Sequence, residues 1–580
     1  MDTDKNYQLN WKATDSVITF EVIVKTTGYV GLGWSDKGGM DEADIITAWV
    51  DDEGTGHIQD RHGTGKVKPA IDTKQDVTLL LAQETNGYTS VKFTRPLDTC
   101  DEEDRPITTS TMRMIWAYGS SDPTNADALY QHDYGNRGTK SMRLIGIAPL
   151  TTFVMPENAT SAEMKISNFT VPASDTHYEC RLLEMPLLFE KHHVIRQEPI
   201  ITPGNEAHVH HMILYLCPPS MNNQTYESLL AGGGGCGAFQ SCRNPAFSFA
   251  IGGKGSTYPD TLGYPIGGDD EPLYARLEIH YDNPQLRSDV VDSSGFLLIY
   301  TPILRANDIG VLLVGRAVSQ THIIPPKQEK FVSYSFCNTK CTDESFERGG
   351  VDKIHMFGFL PHTHLAGRAV VTRHLRGDVE LPYIGKDDNY DFNYQMTVVK
   401  DEKVEFKKGD ELRVECTYNT MDRNLPVYGG KSTHEEMCMS FIYYYPRLPM
   451  VQCFSQPTFS TLQDIFSQHH NLDSNFNLES VSGDQFFDMM TRNMSWANAA
   501  APWEKMEKTY NYDQVCSFGS GAESDSYKYF QNNPIVVIRE PYQPTSTCKP
   551  RPGSTAARAI TSGLTMAMSL ALSLALAAVL

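Results

Sequence analysis

Histidine is the residue type whose spacing points most directly to chemistry in this chain. One cluster reads His208-Val-His210-His211 and runs on into the apolar stretch Met212-Ile-Leu-Tyr-Leu216. A second, His362-Thr-His364, follows the apolar run Met356-Phe-Gly-Phe-Leu360 and Pro361. Successive side chains on a strand point to opposite faces, so His362 and His364 share a face, as a two-imidazole metal clamp requires. The same rule pairs His208 with His210 and turns His211 away. A bulge or strong twist would instead bring adjacent His210 and His211 together. His280 ends the strand-like run Tyr274-Ala-Arg-Leu-Glu-Ile-His280 and is a third candidate; the pair His192-His193 is a fourth. Each, taken alone, also has an ordinary reading as a packed or surface histidine. Imidazoles with few carboxylates beside them suit copper or zinc better than calcium or magnesium, and a thioether ligand would tilt the site toward copper(I). With 22 methionines, composition does not say which one. Gly-x-Ser-x-Gly, His-Glu-x-x-His, a Walker loop and a Gly-x-Gly-x-x-Gly leading a helix are absent. That weakens the serine hydrolase, zincin and nucleotide-dependent readings.

The elements that must hold these histidines read as strands. Alternation is clear in Ser16-Val-Ile-Thr-Phe-Glu-Val-Ile-Val24 and Val91-Lys-Phe-Thr94, and no long 3.6-residue period interrupts the first third of the chain. The expected fold class is all-β, with residues 1–145 a β-sandwich. A Ser/Thr/Pro/Asn-rich linker follows at 146–175. Residues 176–305 and 306–455 then form two antiparallel sandwiches packed on each other. A C-terminal segment at 456–550 has a short helix near Asp484 to Ala500, and 551–580 is a hydrophobic tail. A chain of 580 residues is too long for one domain. Its 40% hydrophobic and 21% charged content excludes a mostly disordered chain and a multi-span membrane protein. A formal net charge of -21 argues against a nucleic-acid partner.

Twelve cysteines, none in a Cys-x-x-Cys pair, predict six disulfides in an oxidising compartment rather than a zinc ribbon or scattered cytosolic thiols. Sequons at Asn158, Asn168, Asn223 and Asn493 agree with a glycoprotein of the secretory pathway, in the endoplasmic reticulum or at the cell surface. Leu564–Leu580 is uncharged and would span about 26 Å as a helix. Gly553-Ser554-Thr555-Ala556-Ala557 upstream supplies the small residues of a lipid-anchor signal. Either a retained span or a lipid anchor would place the catalytic domains on the lumenal or extracellular face of a membrane. Met1-Asp2-Thr3-Asp4 is polar and leads into no apolar segment, so a secreted protein is expected to begin upstream of it.

Four motifs in order, Val209-His-His-Met212, Leu277-Glu-Ile-His-Tyr-Asp-Asn-Pro284, His362-Thr-His-Leu-Ala-Gly-Arg368 and Glu436-Met-Cys438, resemble the copper type II, ascorbate-dependent monooxygenases. The N-terminal run Gly28-Tyr-Val-Gly-Leu-Gly-Trp34, with Ala43-Asp44-Ile45 and Trp116-Ala-Tyr118, resembles a DOMON domain. The whole arrangement is most similar to the dopamine beta-hydroxylase-like (MOXD) branch. This resemblance implies a DOMON sandwich followed by two copper sandwiches. It assigns one copper to His210, His211 and His280, and a second to His362, His364 and Met437. It gives Tyr178 and His362 catalytic roles, leaves His208 as a neighbour and leaves His192-His193 structural. It implies hydroxylation of a substrate C–H bond with O2 and two copper ions per chain, with ascorbate as electron donor.

The same resemblance pairs Cys217 with Cys242, Cys180 with Cys236, Cys416 with Cys438, Cys337 with Cys453, Cys341 with Cys516, and Cys100 with Cys548. Leu360 and Phe441 stand where the peptide-hydroxylating members carry an arginine and a tyrosine. That implies a small amine, catechol-like substrate, with Glu278 either its counter-charge or an outward strand residue. The alternative is a catalytically inactive copper- or haem-binding membrane-anchored protein. A homo-oligomer is compatible with either.

Overall fold

The computed structural model describes residues 1–542 and Cys548, except 3, 147–152, 225, 228–235, 237–240, 254, 269–270, 459, 463, 466–484, 486–493, 520–524 and 532–537. Strands dominate it, as the alternating patterns require. The chain divides into two units. Among the described residues, one holds Met1–Thr108, Arg113–Lys140 and Cys548, and the other Thr109–Met112 and Ser141–Tyr542.

The first unit is the N-terminal sandwich. A four-stranded sheet in the order Tyr7–Ala13, Val17–Val24, Tyr88–Pro96, Thr78–Thr85 covers a six-stranded sheet whose centre is Met112–Tyr118, Val30–Ser35 and Asp44–Val50. Alternate residues of Val17–Val24 are buried, and Phe20 meets Trp34 from the facing sheet with ring centroids 6.0 Å apart. Arg95 is fully buried here, between Asp44 at 3.0 Å and Asp104 at 3.2 Å, with its guanidinium over the Trp34 ring.

The second unit holds two sandwiches. In the first, the sheet Thr176–Glu184, Tyr274–Asp282, Val209–Leu216, Asn244–Ala250 faces a sheet built on Thr160–Lys165, Gly295–Thr301, His192–Ile200 and Leu262–Ile266. In the second, Phe331–Cys337, Asp410–Tyr418, Gly367–Arg376, Val379–Asp387 face a seven-stranded sheet. That sheet runs Val398–Lys407, Lys353–His362, Met439–Tyr445, Gly310–Arg316, Met450–Pro457, Tyr512–Phe518, Asp525–Gln531. It is antiparallel except where Gly310–Arg316 runs parallel to Met450–Pro457, a departure from the expected pattern.

The seven-stranded sheet is buried on both faces. Leu312, Val314, Ile442 and Tyr444 enter the second core. Their alternate neighbours Val311, Leu313, Phe441 and Tyr443 enter the first. This explains the uninterrupted apolar runs Val311-Leu-Leu-Val314 and Phe441-Ile-Tyr-Tyr444: a strand between two cores has no face to leave polar.

A helix absent from the sequence expectation, Thr339–Gly349, ends at Gly350 in the left-handed conformation that favours glycine. Of the helix expected near Asp484 to Ala500, the part from Trp496 is helical and continues to Thr509, where Trp503 anchors it in the second core. Most of 484–493 is outside the described residues.

All six implied disulfides are formed. Bonds of this number fit an oxidising, secretory compartment. Asn158 and Asn168 are exposed, Asn223 closes the turn Pro219–Asn223, and Asn493 lies outside the described residues. No helix of the described residues is long and apolar enough to cross a membrane; Leu564–Leu580 falls outside them.

Candidate metal centres

The first centre is made by one irregularity. His211 sits directly opposite His280 in the pairing of Val209–Leu216 with Tyr274–Asp282, and the register slips between Val209 and His211. The bulge takes His210 out of alternation, so two adjacent imidazoles project to one side. The Nδ1 atoms of His210 and His211 lie 3.4 Å apart, and those of His211 and His280 3.2 Å apart. All three rings are buried and offer ligand atoms within 4.8 Å of one another. Strand alternation alone paired His208 with His210. The structure overturns that pairing: the His208 Nδ1 donates instead to the Asp282 carbonyl at 3.2 Å.

The second centre forms where the strand Lys353–His362 ends beside Met439. His362 donates from Nδ1 to Gln395 Oε1 at 2.8 Å, and His364 from Nδ1 to the Glu435 carbonyl at 3.0 Å. In each ring the opposite nitrogen, Nε2, is therefore the lone-pair atom. The His364 Nε2 is buried without a hydrogen-bond partner among the described residues. An outer nitrogen held by a carbonyl and a bare inner nitrogen is the arrangement of a metal-binding histidine.

Met437 is held beside them by Glu436. The Glu436 carboxylate accepts the N–H groups of His364 at 2.8 Å, Ala366 at 2.6 Å and Met437 at 3.3 Å. Met437 supplies a buried thioether, the soft ligand that suits copper(I).

The two sets of rings touch. His211 and His362 have ring centroids 5.2 Å apart, and His280 and His364 6.2 Å. Burial, with the charge of the neighbouring imidazoles, pushes His210 down to about 3 and His211, His280 and His364 well below the ordinary histidine value; burial also lowers His362. All five rings are neutral across the physiological range, the state in which imidazole binds metal. Five neutral imidazoles and a thioether, with no carboxylate ligand among them, fit copper rather than a hard cation.

Tyr178 stacks on His280 with ring centroids 4.4 Å apart and an 8° interplanar angle. Its hydroxyl is buried without a partner among the described residues, and burial together with the Glu278 charge raises its pKa well above the usual phenol value. The shift favours the phenol over the phenolate, beside the candidate ligand His280. Glu278 lies 3.8 Å from Arg276 and 4.0 Å from Lys431, so cations already flank it. His193 is buried between Asp308 and the Arg305 amide, and His192 caps the Glu190 carbonyl; both serve the fold.

Leu360 and Phe441 are paired across adjacent strands, two residues back from His362. Leu360 also lines a cavity of about 40 Å³ with Gln197, Ser248, Phe296 and Gln395, and no charged side chain among the described residues lines it.

Sequence profiles agree with this geometry. Those of the copper type II ascorbate-dependent monooxygenase N-terminal and C-terminal domains match residues 162–288 and 307–466, and that of the DOMON domain matches 3–119. DBH-like monooxygenase protein 1 of Homo sapiens is 40% identical over 463 residues, 79% of this chain and 74% of that protein. The chain belongs to the copper type II ascorbate-dependent monooxygenases. The MOXD1 homolog 1 of Drosophila melanogaster is 35% identical over 476 residues (78% of this chain, 67% of that protein). Dopamine beta-hydroxylase of Homo sapiens is 32% identical over 495 residues (83% and 77%). Gln395 and Phe392, which contact the candidate ligands, had no sequence signal, and Glu436 stood inside a quoted motif without a role.

Proposed function

We propose that this chain is an active copper- and ascorbate-dependent monooxygenase that hydroxylates a C–H bond of a small aromatic amine. One copper would be held by His210, His211 and His280 through Nδ1. A second would be held by His362 and His364 through Nε2, with the Met437 thioether. The bare, buried His364 Nε2, its partner nitrogen already donated to Glu435, is the observation that carries this reading. When bound, the copper pair supplies one-electron redox chemistry toward O2. Overall, one oxygen atom enters the C–H bond, the other leaves as water, and two electrons come from ascorbate.

The protein's share is to keep five imidazoles neutral, to fix which nitrogen of His210, His362 and His364 faces inward, and to exclude water. The pairing of Leu360 with Phe441 offers no charge to a substrate carboxylate. The name dopamine beta-hydroxylase supports an aromatic amine as the substrate class. The Leu564–Leu580 tail is proposed to attach the protein to a membrane.

The test is copper content by mass spectrometry together with ascorbate-dependent oxygen uptake across an aromatic amine panel. Two coppers per chain and coupled product formation are expected. Two coppers with no coupled product would leave the inactive copper-binding reading.

A further inference from the structure

We infer that Phe392 and Gln395 are positioning residues through which the second sandwich completes the three-histidine site of the first. The inference rests on the copper reading above. The loop from Tyr390 to Gln395 joins strands Val379–Asp387 and Val398–Lys407, both of the second sandwich. It is anchored on its own histidine turn: the Tyr390 hydroxyl donates to the Thr363 carbonyl at 2.6 Å and accepts the Thr363 N–H at 3.2 Å. From there it reaches across to the first site. The Phe392 ring lies over His210 with centroids 3.8 Å apart and an interplanar angle of 17°. The Phe392 carbonyl accepts the His210 Nε2–H at 3.1 Å and the Gln395 Nε2–H at 2.9 Å. Gln395 Oε1 accepts the His362 proton, and the Gln395 backbone N–H donates to the Ile251 carbonyl at 3.0 Å. Ile251 in turn donates to the His210 carbonyl at 2.9 Å.

A carbonyl can only accept, so this contact fixes the His210 proton on Nε2 and leaves Nδ1 as the lone pair facing His211 and His280. His280 has no such help: its Nε2 is without a partner among the described residues. The orientation of His210 is thus set by a segment of the other sandwich. One hydrogen-bonded chain, His362–Gln395–Phe392–His210, ties both sites together. Outer partners of metal-binding histidines are typically worth 10–100-fold in metal affinity. Loosening this one, through the ring or the Gln395 side chain that hold it, is expected to weaken copper at a site to which neither residue is a ligand.

The experiment uses the full chain carrying His364→Ala, so that copper binds at the three-histidine site. Affinity is read by competition with a colorimetric copper(I) chelator, and the copper(II) form by electron paramagnetic resonance. Phe392→Ala removes the ring that holds His210, and Gln395→Ala removes the side-chain amide that holds the Phe392 carbonyl; either, added to this parent, should weaken affinity about tenfold and shift the copper hyperfine splitting. Phe392→Tyr, which keeps the ring, should restore both; circular dichroism identifies variants that fold. Unchanged affinity and spectrum in folded Phe392→Ala and Gln395→Ala would overturn the inference and leave the copper reading standing. A His364→Ala parent that binds no copper would overturn both.

Discussion

Glu436 offers the sharpest test of how the second centre is assembled. Its two carboxylate oxygens serve three backbone N–H groups, those of His364, Ala366 and Met437, and all are buried. Glu436→Ala would orphan all three. At about 1–3 kcal/mol for each buried unsatisfied donor, the loss is at least about 3 kcal/mol, a large part of a typical domain's stability. Glu436→Gln is milder. Its carbonyl oxygen can take the place of Oε2, which serves both His364 and Met437, so only the Ala366 N–H meets a second donor. That predicts a cost of about 1–3 kcal/mol, or a fall in melting temperature of roughly 2–4 °C per kcal/mol. Burial pushes the Glu436 carboxyl up to about 8, so a neutral amide is a fair replacement at pH 7. Glu436→Gln should therefore keep the copper at the His362 site, whereas Glu436→Ala should lose it while the three-histidine copper remains. Copper content by mass spectrometry and thermal unfolding of both variants decide the matter. Equal loss of copper in the two, or full retention in Glu436→Ala, would refute the claim that backbone anchoring is what this carboxyl contributes.

Further predictions follow from other contacts. Met437→Ala should abolish hydroxylation while the three-histidine site keeps its copper; full turnover would sink the assignment of the thioether. Gly367→Ala would place its new methyl 1.7 Å from the Thr363 Oγ1, between the two histidines. Overpacking there should cost about 1–3 kcal/mol in thermal unfolding and perturb the second copper. In the N-terminal sandwich, burial raises Asp44 to about 7, Asp60 to about 8 and Asp72 to about 6. Aspartates raised from an unfolded value near 3.9 hold extra protons in the folded state. Their contribution to stability is full below about pH 4 and is lost as pH rises through about 8. The melting temperature of this unit should fall between pH 5 and 8 and Asp60→Asn should flatten the slope; a slope unchanged by that substitution would count against the reasoning.

The pair His362 and His364 was legible from two-residue alternation because the strand leading into it is regular. His210 with His211 was not, because the bulge that aligns them is set by pairing with Tyr274–Asp282, sixty-odd residues away. That choice came from the resemblance to the family, as did the disulfide pairings, which spacing does not determine. Gln395 and Glu436 meet their histidines across separations of 33 and 72 residues, and no local pattern marks such partners. The sandwich architecture followed from alternating strands. The helix Thr339–Gly349 escaped notice because its buried side, Cys341, Thr342, Ser345 and Phe346, carries little apolar character.

The seven-stranded sheet explains why the two centres lie in contact. The strand entering His362 buries Phe357 and Leu360 in the first core, and the strand leaving Met437 buries Met439, Phe441 and Tyr443 there. Val311 and Leu313 join them from the central strand. At about 1.5–3 kcal/mol for each large side chain, separating the sandwiches far enough to expose all seven would cost on the order of 10 kcal/mol, as much as a whole domain's stability. Wholesale separation is therefore closed to a folded molecule. Between the Tyr390–Gln395 loop and the first site the contacts include, by comparison, a ring stack and hydrogen bonds from the His210 ring to the Phe392 carbonyl and from the Gln395 backbone N–H to Ile251. Each such hydrogen bond is worth about 1 kcal/mol net. The shared sheet, and not this loop, is therefore what keeps the two centres together, and the loop is left to orient His210 within a spacing the sheet has already set.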